Sequence, residues 1–105
     1  MENRLKINVP ADQLIQFCKK NHIHKLSFFG SVLTDRFRPD SDVDVLVEFK
    51  VGQGPGFFEF SGMEMELSSL LGRPVDLRTP KELSRYFRDQ VIAGAQVQYD
   101  GTSSN

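Results

Sequence analysis

The chain has 105 residues, and 13 Lys and Arg against 14 Asp and Glu give it a formal charge of −1. This balance excludes a strongly basic surface, so we expect neither direct nucleic-acid binding nor membrane binding. One cysteine excludes an intramolecular disulfide, and no apolar run is long enough for a signal peptide or a membrane span. We therefore expect one cytoplasmic domain over residues 1–105, with a flexible tail from about residue 100.

Apolar spacing in the first half of the chain predicts one helix and two strands. Pro10 suits the start of a helix whose apolar face comprises Ala11, Leu14, Ile15 and Cys18. The apolar run at 24–29 predicts a buried strand that Gly30 ends. A loop follows at 31–42, with room for one helical turn at its start, and residues 43–49 form the next strand.

The second half of the chain predicts two more helices around a short strand. Residues 57–71 form an amphipathic helix that Gly72 ends, with an apolar face of Phe60, Met63, Leu67, Leu70 and Leu71. Residues 74–78 predict a strand. A capping box from Thr79 to Glu82 begins the last helix. The side of this helix that faces the core would comprise Leu83, Phe87, Val91 and Ile92. Residues 96–99 form either an edge strand or a helix remnant, and the whole order indicates a small α/β domain with helices packed on a sheet.

Two aspartates at the start of a predicted strand need an explanation, because strands disfavour Asp. Asp42 and Asp44 would lie on one strand face, roughly 6–7 Å apart, where their two negative charges repel. A divalent cation such as Mg²⁺ would remove this repulsion. Asp76 is likewise a polar residue between apolar neighbours. If the two strands are neighbours, three carboxylates share one sheet face, which is what a two-metal phosphoryl-transfer site needs.

Gly30 and Ser31 could supply the phosphate-binding half of such a site. A glycine where a strand turns lets backbone N–H groups approach a phosphate closely, and the Ser31 hydroxyl can add a hydrogen bond. Alone, a Gly-Ser pair after a strand is usually a turn, and a lone Asp is usually a cap. The combination is more specific, because Gly30 lies twelve positions before Asp42 and a third carboxylate follows in a later strand.

These motifs resemble the minimal (MNT-type) nucleotidyltransferases of the polymerase-β-like superfamily, in particular the MntA-like antitoxins of HEPN/MNT toxin–antitoxin systems. The superfamily pattern is Gly-Ser, a spacer, then Asp-x-Asp among apolar residues. Here it is "FFGS", ten intervening residues, then "DVDVLVEF". The phrases "RPDSDVD" and "GRPVDLRTP" are also similar to this group. The resemblance extends over about residues 10–99.

The resemblance implies a small mixed sheet flanked by helices, with ATP as substrate and two Mg²⁺ ions. Asp42 and Asp44 would be metal ligands, and Asp76 a metal ligand or the group that activates the acceptor. Gly30 and Ser31 would hold the triphosphate, and we expect Ser41 and Arg38 to contribute to nucleotide binding. The reaction implied is transfer of AMP to a hydroxyl, with pyrophosphate leaving. The expected acceptor is a tyrosine of a HEPN-domain toxin, which this antitoxin would silence.

The sequence departs from the family at one point, which keeps alternatives open. Family members commonly continue Gly-Ser-x-Ala-Arg-Gly, whereas this chain has Leu33, Thr34 and Asp35 in the last three places. Arg36 or Arg38 could replace the missing cation. The first alternative is therefore a weak or inactive enzyme that neutralises its partner by binding alone. The second is a small-molecule transferase, which in so short a chain would need a dimer to build the acceptor pocket.

Overall fold

The computed structural model describes residues 7–101. Its helices are α1 (Ala11–Lys20), α2 (Phe57–Leu71) and α3 (Arg88–Gly94), and its strands are β1 (Ile23–Phe29), β2 (Val43–Phe49), β3 (Val75–Arg78) and β4 (Gln96–Asp100). Short 3-10 helices follow β1 (Gly30–Leu33) and β3 (Pro80–Glu82). Asp100 closes β4, and the rest of the predicted tail beyond Gly101 lies outside the described residues. Within them, no helix is both long and apolar enough to cross a membrane.

Within residues 7–101 the strands form one mixed sheet in the order β3-β2-β1-β4. β1 is antiparallel to both β2 and β4, whereas β2 and β3 are parallel. The small mixed sheet flanked by helices that the family resemblance implies is therefore confirmed. The alternative left open for residues 96–99 is also decided, because they belong to an edge strand.

The core lies between the helices α1 and α2 and one face of the sheet. Val43, Val45 and Val47 of β2 are fully buried there, as strand alternation requires. α2 contributes its predicted face, with three buried residues (Met63, Leu67 and Leu71) and two that pack against the core (Phe60 and Leu70). Burial raises the pKa of the Cys18 thiol to about 12, so this cysteine is an unreactive packing residue.

The predicted apolar face of α1 is only half right. Leu14 and Cys18 are buried, but Ala11 is exposed and Ile15 is 38% exposed. Phe17 is buried instead, because the helix is rotated so that the large aromatic side chain faces the core.

The segment after β3 differs most from the sequence-based prediction. The capping box forms, since the backbone N–H of Thr79 donates to the Glu82 carboxylate at 2.9 Å, but the helical turn ends at Glu82. The Arg88 guanidinium donates to the carbonyl oxygens of Pro80 at 2.7 Å and Leu83 at 3.0 Å. A side chain thus satisfies acceptors that a continuing helix would have used.

The inward face predicted for this last helix is wrong for two of its four residues. Phe87 is 60% exposed and Ile92 is 41% exposed, while Leu83 and Val91 are half-buried. The helix begins only at Arg88, so Leu83 and Phe87 precede it and do not share its periodicity.

The outer edge of β3 is bonded to α2. The backbone N–H of Val75 donates to the Ser68 hydroxyl at 3.0 Å, and that of Leu77 donates to the Glu64 carboxylate at 2.8 Å. These bonds occupy donors that an edge strand would otherwise expose to another chain. They also hold β3 in place against α2. Asp76, which lies between Val75 and Leu77, is held in place with it.

Candidate active site

The register of β2 and β3 brings the predicted carboxylates together. Asp44 and Asp76 are paired residues of the two parallel strands. Their neighbours Val43 and Val75 face the core, so both carboxylates lie on the opposite face of the sheet. The condition on which the shared site depends, that β2 and β3 are neighbours, is therefore met for Asp44 and Asp76.

Asp42 lies just before β2, in agreement with the predicted bounds of 43–49, so the expectation that it shares a strand face with Asp44 is wrong. β2 begins at Val43, where the backbone N–H donates to the Pro74 carbonyl at 2.9 Å, and Asp42 is the exposed last residue of the preceding loop. The position of Asp42 relative to Asp44 therefore depends on that loop as well as on strand alternation.

Gly30 lies directly against the Asp44 carboxylate. Phe29, the last residue of β1, is the partner of Asp44 in the sheet, and the chain turns at Gly30 with φ +79°. A Cβ at this position would overlap Asp44 Oδ2. Glycine is thus required both for the left-handed backbone and for the space. The Gly-Ser turn and one of the carboxylates that the sequence predicts as one site, that of Asp44, are in contact at this residue.

The 3-10 helix that starts at Gly30 is closed by Thr34. The backbone N–H and the hydroxyl of Thr34 both donate to the Ser31 carbonyl, each at 2.9 Å. The Thr34 hydroxyl in turn accepts the backbone N–H of Arg36 at 3.1 Å. Where the family commonly has an arginine, this chain therefore has a residue that stabilises the turn itself.

The carboxylates act electrostatically on one another. The pKa of Asp44 is raised, first by partial burial and then by the negative charges of Asp76 and Asp42, while the positive charge of Arg78 opposes the rise. Like charges so close together favour any ligand that brings positive charge between them.

Arg78 is a site residue that the sequence analysis missed. Its Nε lies 3.1 Å from Asp76 Oδ1, and its Nη2 lies 3.3 Å from Asp76 Oδ2, which is a bidentate ion pair. The signal was present, because residues i and i+2 of a strand share a face. Both side chains are partly exposed, at 47% for Arg78 and 39% for Asp76, so the pair is weak and can be exchanged for another cation.

The donor chemistry of the site suits Mg²⁺ bound together with a substrate. Among the described residues, no three His, Cys, Asp or Glu side chains are arranged to hold a metal ion by themselves. Mg²⁺ usually takes one or two carboxylates and completes its shell with waters and substrate phosphates. The carboxylates of Asp42 and Asp44, with Asp76 once it is released from Arg78, offer hard oxygen donors beside the Gly30 turn, so the chemistry of these residues fits that ion.

Arg38 and Ser41 form a tight turn in the loop before β2. The backbone N–H of Arg38 donates to Ser41 Oγ at 3.0 Å, and the backbone N–H of Ser41 donates to the Arg38 carbonyl at 3.0 Å. Their expected contacts with nucleotide stay predictions. Arg73, which the sequence analysis did not select, donates from Nη1 to the Pro39 carbonyl at 2.9 Å and lies 5.0 Å over the Phe37 ring. It ties this loop to the start of β3.

Comparison with known proteins supports the same assignment. The model of the nucleotidyltransferase domain family matches residues 11–97, which include every candidate site residue above. The chain belongs to the nucleotidyltransferase domain family. The resemblance inferred from the motifs is thereby confirmed. A relative in Methanocaldococcus jannaschii, MJ0435, which is provisionally named a protein adenylyltransferase, is 28% identical over 88 residues, 84% of this chain and 92% of its own length.

Solved structures show the same fold for this nucleotidyltransferase. A crystal structure of a toxin–antitoxin complex with AMP-PNP matches 88% of this chain and 74% of the matching chain, with a TM-score of 0.70 and 19% identity. A structure of a tri-AMPylated Shewanella oneidensis HEPN toxin in complex with an MNT antitoxin matches 86% of this chain and 69% of the matching chain, with a TM-score of 0.62 and 20% identity.

Proposed function

We propose that this nucleotidyltransferase transfers AMP from ATP, in a Mg²⁺-dependent reaction, to a tyrosine hydroxyl of a HEPN-type toxin, and so acts as an antitoxin. The observation that carries the proposal is the contact between the Gly30 turn and Asp44 in register with Asp76. A phosphate-binding turn and acidic side chains from two strands are what nucleotidyl transfer requires at one place.

Each group has a role in this reaction. Backbone N–H groups at Gly30 and Ser31 would hold the β- and γ-phosphates. Asp42 and Asp44 would ligate Mg²⁺, which when bound neutralises charge on the phosphates and lowers the pKa of the attacking hydroxyl. Asp76 would ligate the second ion or accept the hydroxyl proton. The acceptor oxygen then bonds to the α-phosphorus as the bond from that phosphorus to pyrophosphate breaks, and AMP stays on the acceptor.

The choice of acceptor is supported by the relatives. The matched M. jannaschii protein is named for protein adenylylation, and one fold neighbour is bound to an AMPylated HEPN toxin.

A second candidate function is neutralisation by binding without catalysis. Thr34 and Asp35 replace the family's arginine and glycine, and Arg78 pairs with Asp76. On this reading the fold is kept for its contacts with the toxin while the chemistry is weakened.

One experiment separates the two candidates. The purified protein is incubated with a HEPN-type partner, ATP and Mg²⁺, and the intact mass of the partner is measured. We expect additions of one AMP each, abolished by Asp42→Asn with Asp44→Asn and retained by Asp40→Asn, a matched change on the same loop. If the double variant neutralises the toxin as well as the wild type, the protein acts by binding alone.

A further inference from the structure

The side of α2 that faces away from the core is apolar and exposed. Phe58 is 86% exposed, Met65 is 71% exposed, and Phe57 beside them is 79% exposed. The rings of Phe57 and Phe58 contact each other edge to face, with centroids 5.6 Å apart. Because an aromatic side chain can bury roughly 150–250 Å², these three residues offer on the order of 400 Å² of apolar surface. Exposed patches of that size usually mark a binding surface.

The exposed residues of α2 have the spacing of a helix–helix contact. Phe58, Gly62, Met65 and Ser69 follow one another at intervals of four, three and four residues, and all of them are exposed. Such intervals place side chains in one line along a helix, here on the side opposite the core, and we call this line the outer seam. A Cβ added at Gly62 would meet no atom within 4 Å, so the backbone of a second helix can approach closely there.

The charges beside the outer seam are acidic. α2 carries Glu59, Glu64 and Glu66 and no Lys or Arg. Lys20 of α1 pairs with Glu66 at 2.5 Å, which still leaves α2 and its lysine partner with more negative than positive charge. A second copy of this chain would bring like charges together, whereas a helix with Lys or Arg beside an apolar stripe would balance them. The charge therefore favours a basic amphipathic helix of another protein.

α2 lies along the edge of the sheet from which the acceptor approaches. The attacking and leaving oxygens of phosphoryl transfer lie roughly in line, so with the leaving phosphates at Gly30 the acceptor hydroxyl comes from the Asp76 side. Asp76 is on β3, and the outer edge of β3 is bonded to Ser68 and Glu64 of α2. The outer seam is one helix diameter, roughly 10–12 Å, from this edge. A protein seated on the seam can extend over the edge of β3 to Asp76.

We propose that the outer seam of α2 docks the acceptor protein, through a helix of that protein whose apolar stripe is flanked by Lys or Arg. This inference rests on the proposed function and adds to it the means by which the acceptor is recognised. Recognition and chemistry then lie on different parts of the chain. α2 fixes the position of the partner, and the carboxylates with the Gly30 turn act on the hydroxyl that the partner presents. The acceptor needs no particular sequence around that hydroxyl.

Phe58→Ala with Met65→Ala tests the seam without touching the core. Both side chains are mostly exposed and alanine favours helices, so the double variant should keep the wild-type Tm or exceed it slightly. Tyr86→Ala is the matched control, because Tyr86 is 77% exposed and lies outside α2. Aromatic anchors dominate interface energies. In isothermal titration with a HEPN-type partner, without ATP, we therefore expect the double variant to bind at least about tenfold more weakly than wild type and Tyr86→Ala.

Steady-state kinetics of AMP transfer separate docking from chemistry. The double variant should raise KM for the HEPN-type partner about tenfold, while kcat at saturating partner and the Kd for AMP-PNP with Mg²⁺ stay within about twofold of the wild type. Loss of uniform binding has this signature, whereas damage to the carboxylate site would lower kcat.

Glu59→Gln tests the expected charge of the partner helix. Glutamine can still accept the bond that the Gly56 N–H donates to Glu59 Oε1 at 2.8 Å, so the variant removes the charge and keeps the cap. Binding of a basic helix should weaken by about two- to threefold at low salt and become less salt-dependent. Self-association through the seam would instead be strengthened, which sedimentation of the chain alone would show.

Three results would overturn the inference. Equal partner affinity for the double variant and the wild type, with AMP transfer intact in both, would place docking elsewhere and leave the proposed function standing. Self-association of the wild type that the double variant loses would assign the seam to a second copy of this chain. A wild-type protein that neither binds a HEPN-type partner nor transfers AMP to it would overturn the proposed function, and this inference with it.

Discussion

Gly30 and Asp44 constrain each other at the level of single residues. The carboxylate occupies the space that a side chain at residue 30 would need, and the left-handed backbone at φ +79° excludes most other residues on its own. Gly52 has a similar φ of +76°, but a Cβ there would meet nothing within 4 Å. The requirement at Gly30 is therefore specific to the site and is not merely a property of tight turns.

The raised pKa of Asp44 predicts a stability cost for the metal-free site. Partial burial and two neighbouring carboxylates shift this pKa above its ordinary value of 3.8, so the folded state holds the proton more tightly than the unfolded chain. Stability should therefore fall as pH rises through the window between 3.8 and the raised pKa. Above that window the ionised Asp44 carries its full cost.

Asp44→Asn should consequently stabilise the metal-free protein at pH 7. We expect a gain of about 0.5 kcal/mol, kept small because the side chain is partly solvated, or roughly 2–4 °C in Tm. The gain should shrink when thermal unfolding is measured near pH 4, because a larger fraction of the wild-type carboxyl is protonated there than at pH 7. Asp40→Asn is the control. A lower Tm for Asp44→Asn at pH 7, or a gain that grows on acidification, would contradict this explanation.

At the scale of elements, the two residues that precede β3 hold the loop before β2 in place. Arg73 bonds to the Pro39 carbonyl and stacks on Phe37, and Pro74 accepts the N–H of Val43 at the start of β2. These contacts connect the turn before β3 to the segment that carries Asp42. The position of Asp42 relative to Asp76 thus depends on these two contacts as well as on the register of the strands.

Arg73→Gln should loosen this loop while leaving the core intact. A lost charged hydrogen bond with a lost cation–π contact predicts roughly tenfold faster tryptic cleavage after Arg36. Arg38 gives no competing cut, because proline follows it. Arg85→Gln, which removes a comparable contact over the Tyr86 ring at 5.4 Å, is the matched control. Equal cleavage rates in the two variants would show that Arg73 does not restrain the loop.

The sequence predicts some elements better than others for physical reasons. β2 and α2 have strong periodicity and clear ends, so their predicted bounds agree with the structure. The segment after β3 has the predicted capping box. The helix does not continue, because the Arg88 guanidinium bonds the carbonyls of Pro80 and Leu83, and no local sequence pattern reveals that contact. Asp76 was found because it breaks an apolar strand, whereas Arg78, exposed at the strand end, looked like an ordinary surface residue.

At the scale of the whole molecule, one sheet separates two tasks. One face is buried under α1 and α2, and the other presents Asp44 and Asp76 beside the Gly30 turn. The sequence could predict this division, because alternation assigns each residue to a face. It could not predict where α3 lies, since a short helix after an irregular segment is placed by packing that no local pattern shows.

The central claim is that the carboxylates of two strands and the Gly30 turn form one site for metal and nucleotide. Substituting Mn²⁺ for Mg²⁺ tests it directly, because Mn²⁺ broadens the NMR signals of nearby amides. With AMP-PNP present, we predict selective broadening at 30–32, 42–45 and 76–78, lost in Asp42→Asn with Asp44→Asn. Broadening centred on other acidic residues, such as Asp12 or Asp89, with these three segments unaffected, would contradict the account.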